Sequence, residues 1–374
     1  MPKNIVVCCD GTANEFAQDR TNVVHLFATL VQNAAFQVAF YHPGLGTMEP
    51  PGAVTGVTRS ITKLLGKAVG YGLSRDVCDA YTFLMRTYLA GDQVFLFGFS
   101  RGAYTARVVA ALLHMYGLIR PDNEPLVPYG VRMLTGVRDG AAFELAREFK
   151  ATFSWIGVTV HFLGVWDTVS SVGWVENPLR VPFTANNPSV EISRHAVSID
   201  ERRAFFRTNL WHSTAPPKAS GPKDLKQVWF AGVHCDVGGG YPEEQSGLSK
   251  IALEWMLCEA RAAGLLIDVQ KARQILGWAP ESPFSSPNPA ADAHESCKGW
   301  WRLAEFIPKR HYNWRKGVEE RRMNLFRRRT IPDGSVVHES VVDRMKSVPA
   351  YHPPNLPTNY EVEHRQTTCL DNPE

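Results

Sequence analysis

The segment Val94-Phe95-Leu96-Phe97-Gly98-Phe99-Ser100-Arg101-Gly102 constrains this chain more than any other. From Gln93 to Phe99 it is apolar at nearly every position, with no polar alternation. A strand of that kind is covered on both faces, which places it inside a parallel sheet. It runs into Gly98-Phe99-Ser100-Arg101-Gly102, a G-x-S-x-G sequence, and then into a helical pattern over Gly102–Tyr116. Strand, tight turn and helix in that order lift a serine hydroxyl above the carboxyl edge of a sheet.

The rest of the chain repeats the alternation. Apolar runs at Asn4–Cys9, Gln37–Tyr41, Val158–Trp166 and Gln227–Val233 read as further buried strands. Helical spacing of apolar residues marks Arg75–Ala90 and Leu248–Ala263. The pattern predicts an α/β fold with a doubly wound, mainly parallel sheet. Over 374 residues we expect a single catalytic domain, 1–374, enlarged by insertions. Two proline- and tryptophan-rich stretches, about 174–226 and about 271–329, break the alternation and are expected to form a lid-like cap over the carboxyl edge. Residues 349–374, with Pro349, Pro353, Pro354 and Pro357, are expected to form an extended tail.

Composition excludes several classes. At 44% hydrophobic and 21% charged residues the chain is not disordered, and a net charge of +3 is too small for a nucleic-acid coat, so no nucleic acid is expected. Seven cysteines without a CxxC pair are expected to be buried reduced thiols rather than a disulfide framework or a zinc ribbon. No signal-like or membrane-spanning run is found. The chain is therefore expected to be cytoplasmic as synthesised, with export by a route that needs no cleaved signal left open.

A serine nucleophile needs a base and an orienting acid, supplied in this architecture by loops after later strands. Asp167 ends the strand Gly164-Val165-Trp166-Asp167-Thr168. His234 and Asp236 follow the next one, in Gly232-Val233-His234-Cys235-Asp236-Val237-Gly238-Gly239-Gly240-Tyr241. A rival base is His338, in Ser335–Ser340, which reads as a short last strand and a helix start capped by Ser340. Two constellations are open: Ser100–Asp167–His234, or Ser100–Asp236–His338 with Asp167 in support.

The blocks Cys9-Asp10-Gly11-Thr12, Phe97–Arg107, Gly164–Thr168, His195–Arg203 and Gly232–Tyr241 resemble those of the type VI secretion phospholipase effector catalytic-domain family, whose members are α/β hydrolases. The resemblance runs over about residues 4–345. It implies hydrolysis of carboxylic esters, with Ser100 as nucleophile, Asp167 as acid and His234 as base, and with phospholipids as substrates in the effector branch. In such a fold Asp10-Gly11-Thr12 lies where an oxyanion loop is expected. The amide of Gly11 or Thr12, with that of Arg101, is the candidate oxyanion hole. The D-x-D-G-T of aspartyl-phosphate phosphatases is not met, because position 8 is Cys.

No organic cofactor is implied, and no His/Cys/Asp spacing makes a metal site. Lys309–Arg329 interleaves lysines and arginines with Tyr312, Trp314 and Phe326, a pattern suited to an anionic lipid surface. His195 with Asp200, Glu201, Arg202 and Arg203 is expected to be a structural salt-bridge cluster beneath the lid. The expected function is a serine esterase acting on lipid or phospholipid acyl esters. The alternatives are a small-molecule carboxylesterase or acyltransferase, and a degenerate hydrolase that binds a membrane or partner.

Overall fold

The computed structural model describes residues 2–11, 20–44, 58–136, 140–169, 173–174, 177–178, 181–211, 221–299, 301–313, 318–366 and 368–371. Eight strands lie in one sheet, and every pairing in it is parallel. They are β1 (Asn4–Cys9), β2 (Gln37–His42), β3 (Gln93–Phe99), β4 (Val160–Trp166), β5 (Val190–Ser198), β6 (Asp224–Phe230), β7 (Ser335–His338) and β8 (Tyr360–Glu363). Across the sheet the order is β8-β7-β6-β5-β4-β3-β1-β2.

The unbroken apolar runs are explained by helices on both faces. Along β1, Ile5, Val7 and Cys9 enter one core layer, with α2 (Thr58–Thr87) and α3 (Arg101–Tyr116). Val6 and Cys8 enter the other, with α1 (Asn22–Thr29). Alternate residues of a strand point to opposite faces, so a strand buried on both sides has no polar positions to spare. The strand order reverses at β1: β2 lies on one side of it and β3 on the other. The helices that follow β1 and β3 belong to opposite core layers, so the carboxyl edge between these strands is a topological switch point.

The expected strands and helices are present with ends shifted by a few residues, except that the helix expected over Arg75–Ala90 begins much earlier, at Thr58. Two strands of this sheet were not expected. Val190–Ser198 lies inside the stretch assigned to the first insertion, yet β5 is an inner strand of the sheet. Its Arg194 is buried and hides the pattern: Nη2 lies 2.7 Å from Asp224 Oδ2, and Nε pairs with Glu259. The tail is not free either. Tyr360–Glu363 pairs with β7 as the edge strand, Leu370 is buried, and Cys369 is joined to Cys258 by a disulfide. The expectation of reduced thiols holds for Cys8, Cys9, Cys78, Cys235 and Cys297 and fails for this pair.

Within 271–329, the short helix Trp301–Ala304 precedes an antiparallel hairpin, Lys309–Asn313 with Val318–Arg322. Glu305 is fully buried between them. It accepts hydrogen bonds from the Ala204 amide (2.6 Å), Asn324 Nδ2 (2.6 Å) and the Phe326 amide (3.0 Å), which ties this segment to the loop after β5. No helix among the described residues is long and apolar enough to cross a membrane.

The turn from β3 into α3 rests on close packing. A Cβ at Gly102 would lie 2.1 Å from the Cys9 carbonyl oxygen and 2.5 Å from that of Asp10. Both are backbone atoms and cannot swing aside. Gly102→Ala is therefore expected to lower stability by about 2 kcal/mol or more, read from urea denaturation.

Candidate active site

Ser100 stands between β3 and α3 with φ 58° and ψ −117°, a conformation that L-residues rarely adopt. Its amide donates to the Trp166 carbonyl (3.0 Å), which extends the β3–β4 ladder by one bond and holds the strained residue in place. The hydroxyl then projects toward the end of β6. There the chain turns through Ala231-Gly232-Val233 into the short helix α4 (His234–Gly238).

Three carboxylates fix that turn. The amide of Gly232 donates to Asp200 (2.8 Å), that of Val233 to Asp236 (2.9 Å) and that of His234 to Glu201 (3.3 Å). Asp200 and Glu201 come from the loop after β5, so two strand ends are locked to one another. The His234 ring lies between Phe99 and Phe206, with centroids 4.6 and 4.7 Å away. Behind it, the Arg203 guanidinium covers Phe206 at 3.4 Å. A Cβ at Gly238 would fall inside the Phe99 ring, so only glycine lets α4 approach this closely.

Held in this way, His234 Nε2 accepts a hydrogen bond from the Ser100 hydroxyl at 2.8 Å, and Nδ1 donates to Asp167 Oδ2 at 2.5 Å. Asp167 follows β4 at φ 39° and is buried. Its Oδ1 accepts from the Ser198 amide (2.9 Å), the Ser198 hydroxyl (3.1 Å) and Arg329 Nη1 (2.5 Å). Arg329 Nη2 reaches Oδ2 at 3.0 Å. Burial works to raise the pKa of Asp167. The Arg329 guanidinium and the His234 hydrogen bond outweigh it and hold the carboxyl well below the usual range. Burial also pushes the His234 imidazole below its ordinary value, against the pull of Asp167. Near neutral pH the pair is thus a carboxylate beside a neutral imidazole whose Nε2 lone pair faces a hydroxyl.

The structure brings together Ser100, Asp167 and His234 and does not assemble the rival set. Asp236 accepts from its own Val233 amide and from His294 Nδ1, the latter at 2.6 Å. His338, rather than Ser340, caps the helix Glu339–Ser347. Its Nδ1 accepts the Ser340 amide at 3.2 Å and its ring stacks on Phe230. Burial lowers its pKa to about 4.

The Gly11 amide is engaged by Asp10 Oδ1 at 2.7 Å, and Oδ2 of the same buried carboxylate accepts from the Thr21 and Tyr41 hydroxyls. Thr12 lies outside the described residues. Arg101 opens α3, and its guanidinium lies 3.8 Å from Asp76. His195 is buried beneath the site and accepts the Thr168 amide at 3.2 Å, apart from the ion pairs of its neighbours.

Two residues around Asp167 were missed. Ser198 ends a strand that polar residues conceal. Arg329 reads as one more cation of the basic stretch; the only signal is its place two residues before Ile331, which is fully buried. Arg328 also turns inward, onto Asp200.

The catalytic-domain model of the Tle1-like phospholipase effectors of the type VI secretion system matches residues 3–259. The chain belongs to this family. An uncharacterized protein of Saccharomyces cerevisiae is 38% identical over 221 residues, covering 55% of this chain and 32% of the yeast protein. Among solved structures, an uncharacterized protein from Pseudomonas aeruginosa aligns at 21% identity and a TM-score of 0.43, over 76% of this chain and 49% of that one. The Tle1 effector bound to the VgrG spike aligns at 18% identity and 0.38, over 66% and 52%. The chain thus spans about a third of the curated relative and about half of each solved one. At these scores the fold assignment rests on the parallel sheet itself.

Removing the Asp167 charge strands Arg329 in a dry site. Asp167→Asn is expected to lower stability at neutral pH by about 3 kcal/mol in urea denaturation. The folded-state pKa is depressed, so the carboxylate's contribution is present above the ordinary carboxylate range and fades as pH falls through it. The gap between wild type and variant is therefore expected to close in acid.

Proposed function

We propose that this chain is a serine esterase of the lipase class that cleaves acyl esters of lipids through an acyl-enzyme. The observation that carries the reading is the continuous chain of hydrogen bonds from Ser100 through His234 to Asp167, at 2.8 and 2.5 Å. In this reading Ser100 Oγ attacks the ester carbonyl while its proton passes to His234 Nε2. Asp167 holds Nδ1–H and stabilises the imidazolium. His234 then gives the proton to the departing alcohol oxygen, and water, activated by the same imidazole, releases the acid. The Arg101 amide, at the positive end of α3, is the donor we assign to the oxyanion, with Thr12 as the second candidate. No organic cofactor enters the reaction.

A lipid substrate is favoured by the surface beside the site. Leu303 and Phe306 are 59% and 52% exposed, and Ile307, Met323 and Leu325 are exposed around them. Arg302, Arg321 and Arg327 are set among these side chains in sequence and are exposed too. An apolar apron carrying cations suits an anionic membrane surface. The contact we propose is therefore shifted from Lys309–Arg329: it takes in Arg302, Leu303, Phe306 and Ile307 and leaves out Arg328 and Arg329, which pair inside the protein.

A fluorophosphonate probe is expected to label the wild-type protein and not Ser100→Ala. His234→Ala is expected to label at least a hundredfold more slowly, with His338→Ala close to wild type. Labelling that persists in Ser100→Ala, or that depends on His338, sinks this assignment. For the substrate, release of fatty acid from phosphatidylglycerol vesicles is the expected result. Activity confined to short soluble esters would identify a small-molecule esterase instead. The double variant Leu303→Ser, Phe306→Ser is expected to lose most vesicle turnover and vesicle binding while hydrolysing soluble esters at the wild-type rate.

A further inference from the structure

Resting on the hydrolase reading above, we propose that Arg329 is a positioning residue, whose guanidinium fork fixes the Asp167 carboxylate in the orientation that aims the His234 imidazole at Ser100. Both carboxylate oxygens are held. Nη1 binds Oδ1 at 2.5 Å, and Nη2 binds Oδ2, the oxygen that also receives His234 Nδ1–H, at 3.0 Å. The fork is itself anchored. Nη1 donates to the Ser198 hydroxyl (2.7 Å) and Nη2 to the Phe206 carbonyl (2.7 Å). Asn355 Nδ2 holds the Arg329 carbonyl and the Ile199 carbonyl, each at 3.0 Å. A carboxylate bound in this way cannot rotate about its Cβ–Cγ bond, and the Nδ1 hydrogen bond keeps one direction.

Arg329 lies beyond residues 3–259, where the family model ends. The segment between the hairpin and β7 therefore completes a site whose other members fall within that match.

The arrangement has a second consequence. The guanidinium competes with a protonated His234 for the same carboxylate, so it holds the imidazole neutral to lower pH. The charged and titratable groups that face His234 come from several elements. Asp167 stands at the end of β4 and Glu201 and Arg203 in the loop after β5, while Arg329, ahead of β7, acts through Asp167. His195 lies beneath Asp167, where burial depresses its pKa and keeps it uncharged. Two cations thus oppose two carboxylates around one imidazole, and burial tips the balance toward the neutral ring.

The test is the pH profile of fluorophosphonate labelling in wild type, Arg329→Gln and Arg329→Lys. In Arg329→Gln the acid limb is expected to move to higher pH by roughly half a unit or more, and the plateau rate to fall about tenfold. Arg329→Lys keeps the charge and loses the fork, so the limb is expected to stay in place while the plateau falls. A residue with only a structural role would leave the limb of Arg329→Gln where it is in the wild type, and that result overturns the proposal.

NMR provides a second readout, which needs no catalytic activity. The His234 imidazole is expected to titrate at lower pH in the wild type than in Arg329→Gln. The same titration in both overturns the proposal. The failures are separable. Absence of labelling in wild type, or labelling of Ser100→Ala, ends the hydrolase reading, whereas the imidazole titration reports on Arg329 even in a protein that labels nothing.

Discussion

The ends of β4, β5 and β6 are arranged around one buried charge, the carboxylate of Asp167. A bare carboxylate in a dry interior is prohibitively unstable, so donors must converge on it from several directions. Here they come from the Ser198 amide and hydroxyl, from His234 and from both terminal nitrogens of Arg329. These groups belong to the end of β5, the start of α4 and the approach to β7. The cost of leaving the charge unpaired thus ties together parts of the chain that are far apart in sequence. Satisfying it also sets the imidazole direction on which the Ser100 contact depends.

The same principle shapes the histidine loop. Gly232, Val233 and His234 leave the sheet with their amides pointing into the protein, and each amide meets a different carboxylate. Glu201 is the most constrained of these. Burial disfavours its ionisation, yet Arg203 holds its pKa down at about 2. A loop at a sheet edge is ordinarily among the softer parts of a fold. Here three successive amides are each held by a carboxylate.

The residues after the family match also brace the site. Glu305 binds the loop after β5 to the hairpin segment, Arg328 reaches Asp200, and the Tyr351 hydroxyl donates to Asp200 at 2.8 Å. Asp200 in turn holds Gly232. The C-terminal region and the histidine loop thus share a partner, and an apolar apron sits on the outer side of the same segment.

Apolar period and glycine placement made much of the protein legible in its sequence. The runs that became β1, β3 and β4, the turn at Ser100, and Asp167 and His234 at two strand ends all follow from local pattern, because a doubly covered strand and a tight turn each demand particular residue types. Tertiary structure decided what local pattern cannot encode. Arg194 fits a buried strand only because Asp224 and Glu259 are there to neutralise it. His338 has the right type and a plausible strand end, but its own helix cap claims it. Gly11 lies in the expected loop, but the carboxylate beside it takes its amide. Arg329 looks like a surface cation until the fold carries it to Asp167, across 162 residues of chain. A sequence records residue types and their spacing, whereas the partner of a buried charge is chosen by folding, since only the folded chain removes the water that would otherwise satisfy it.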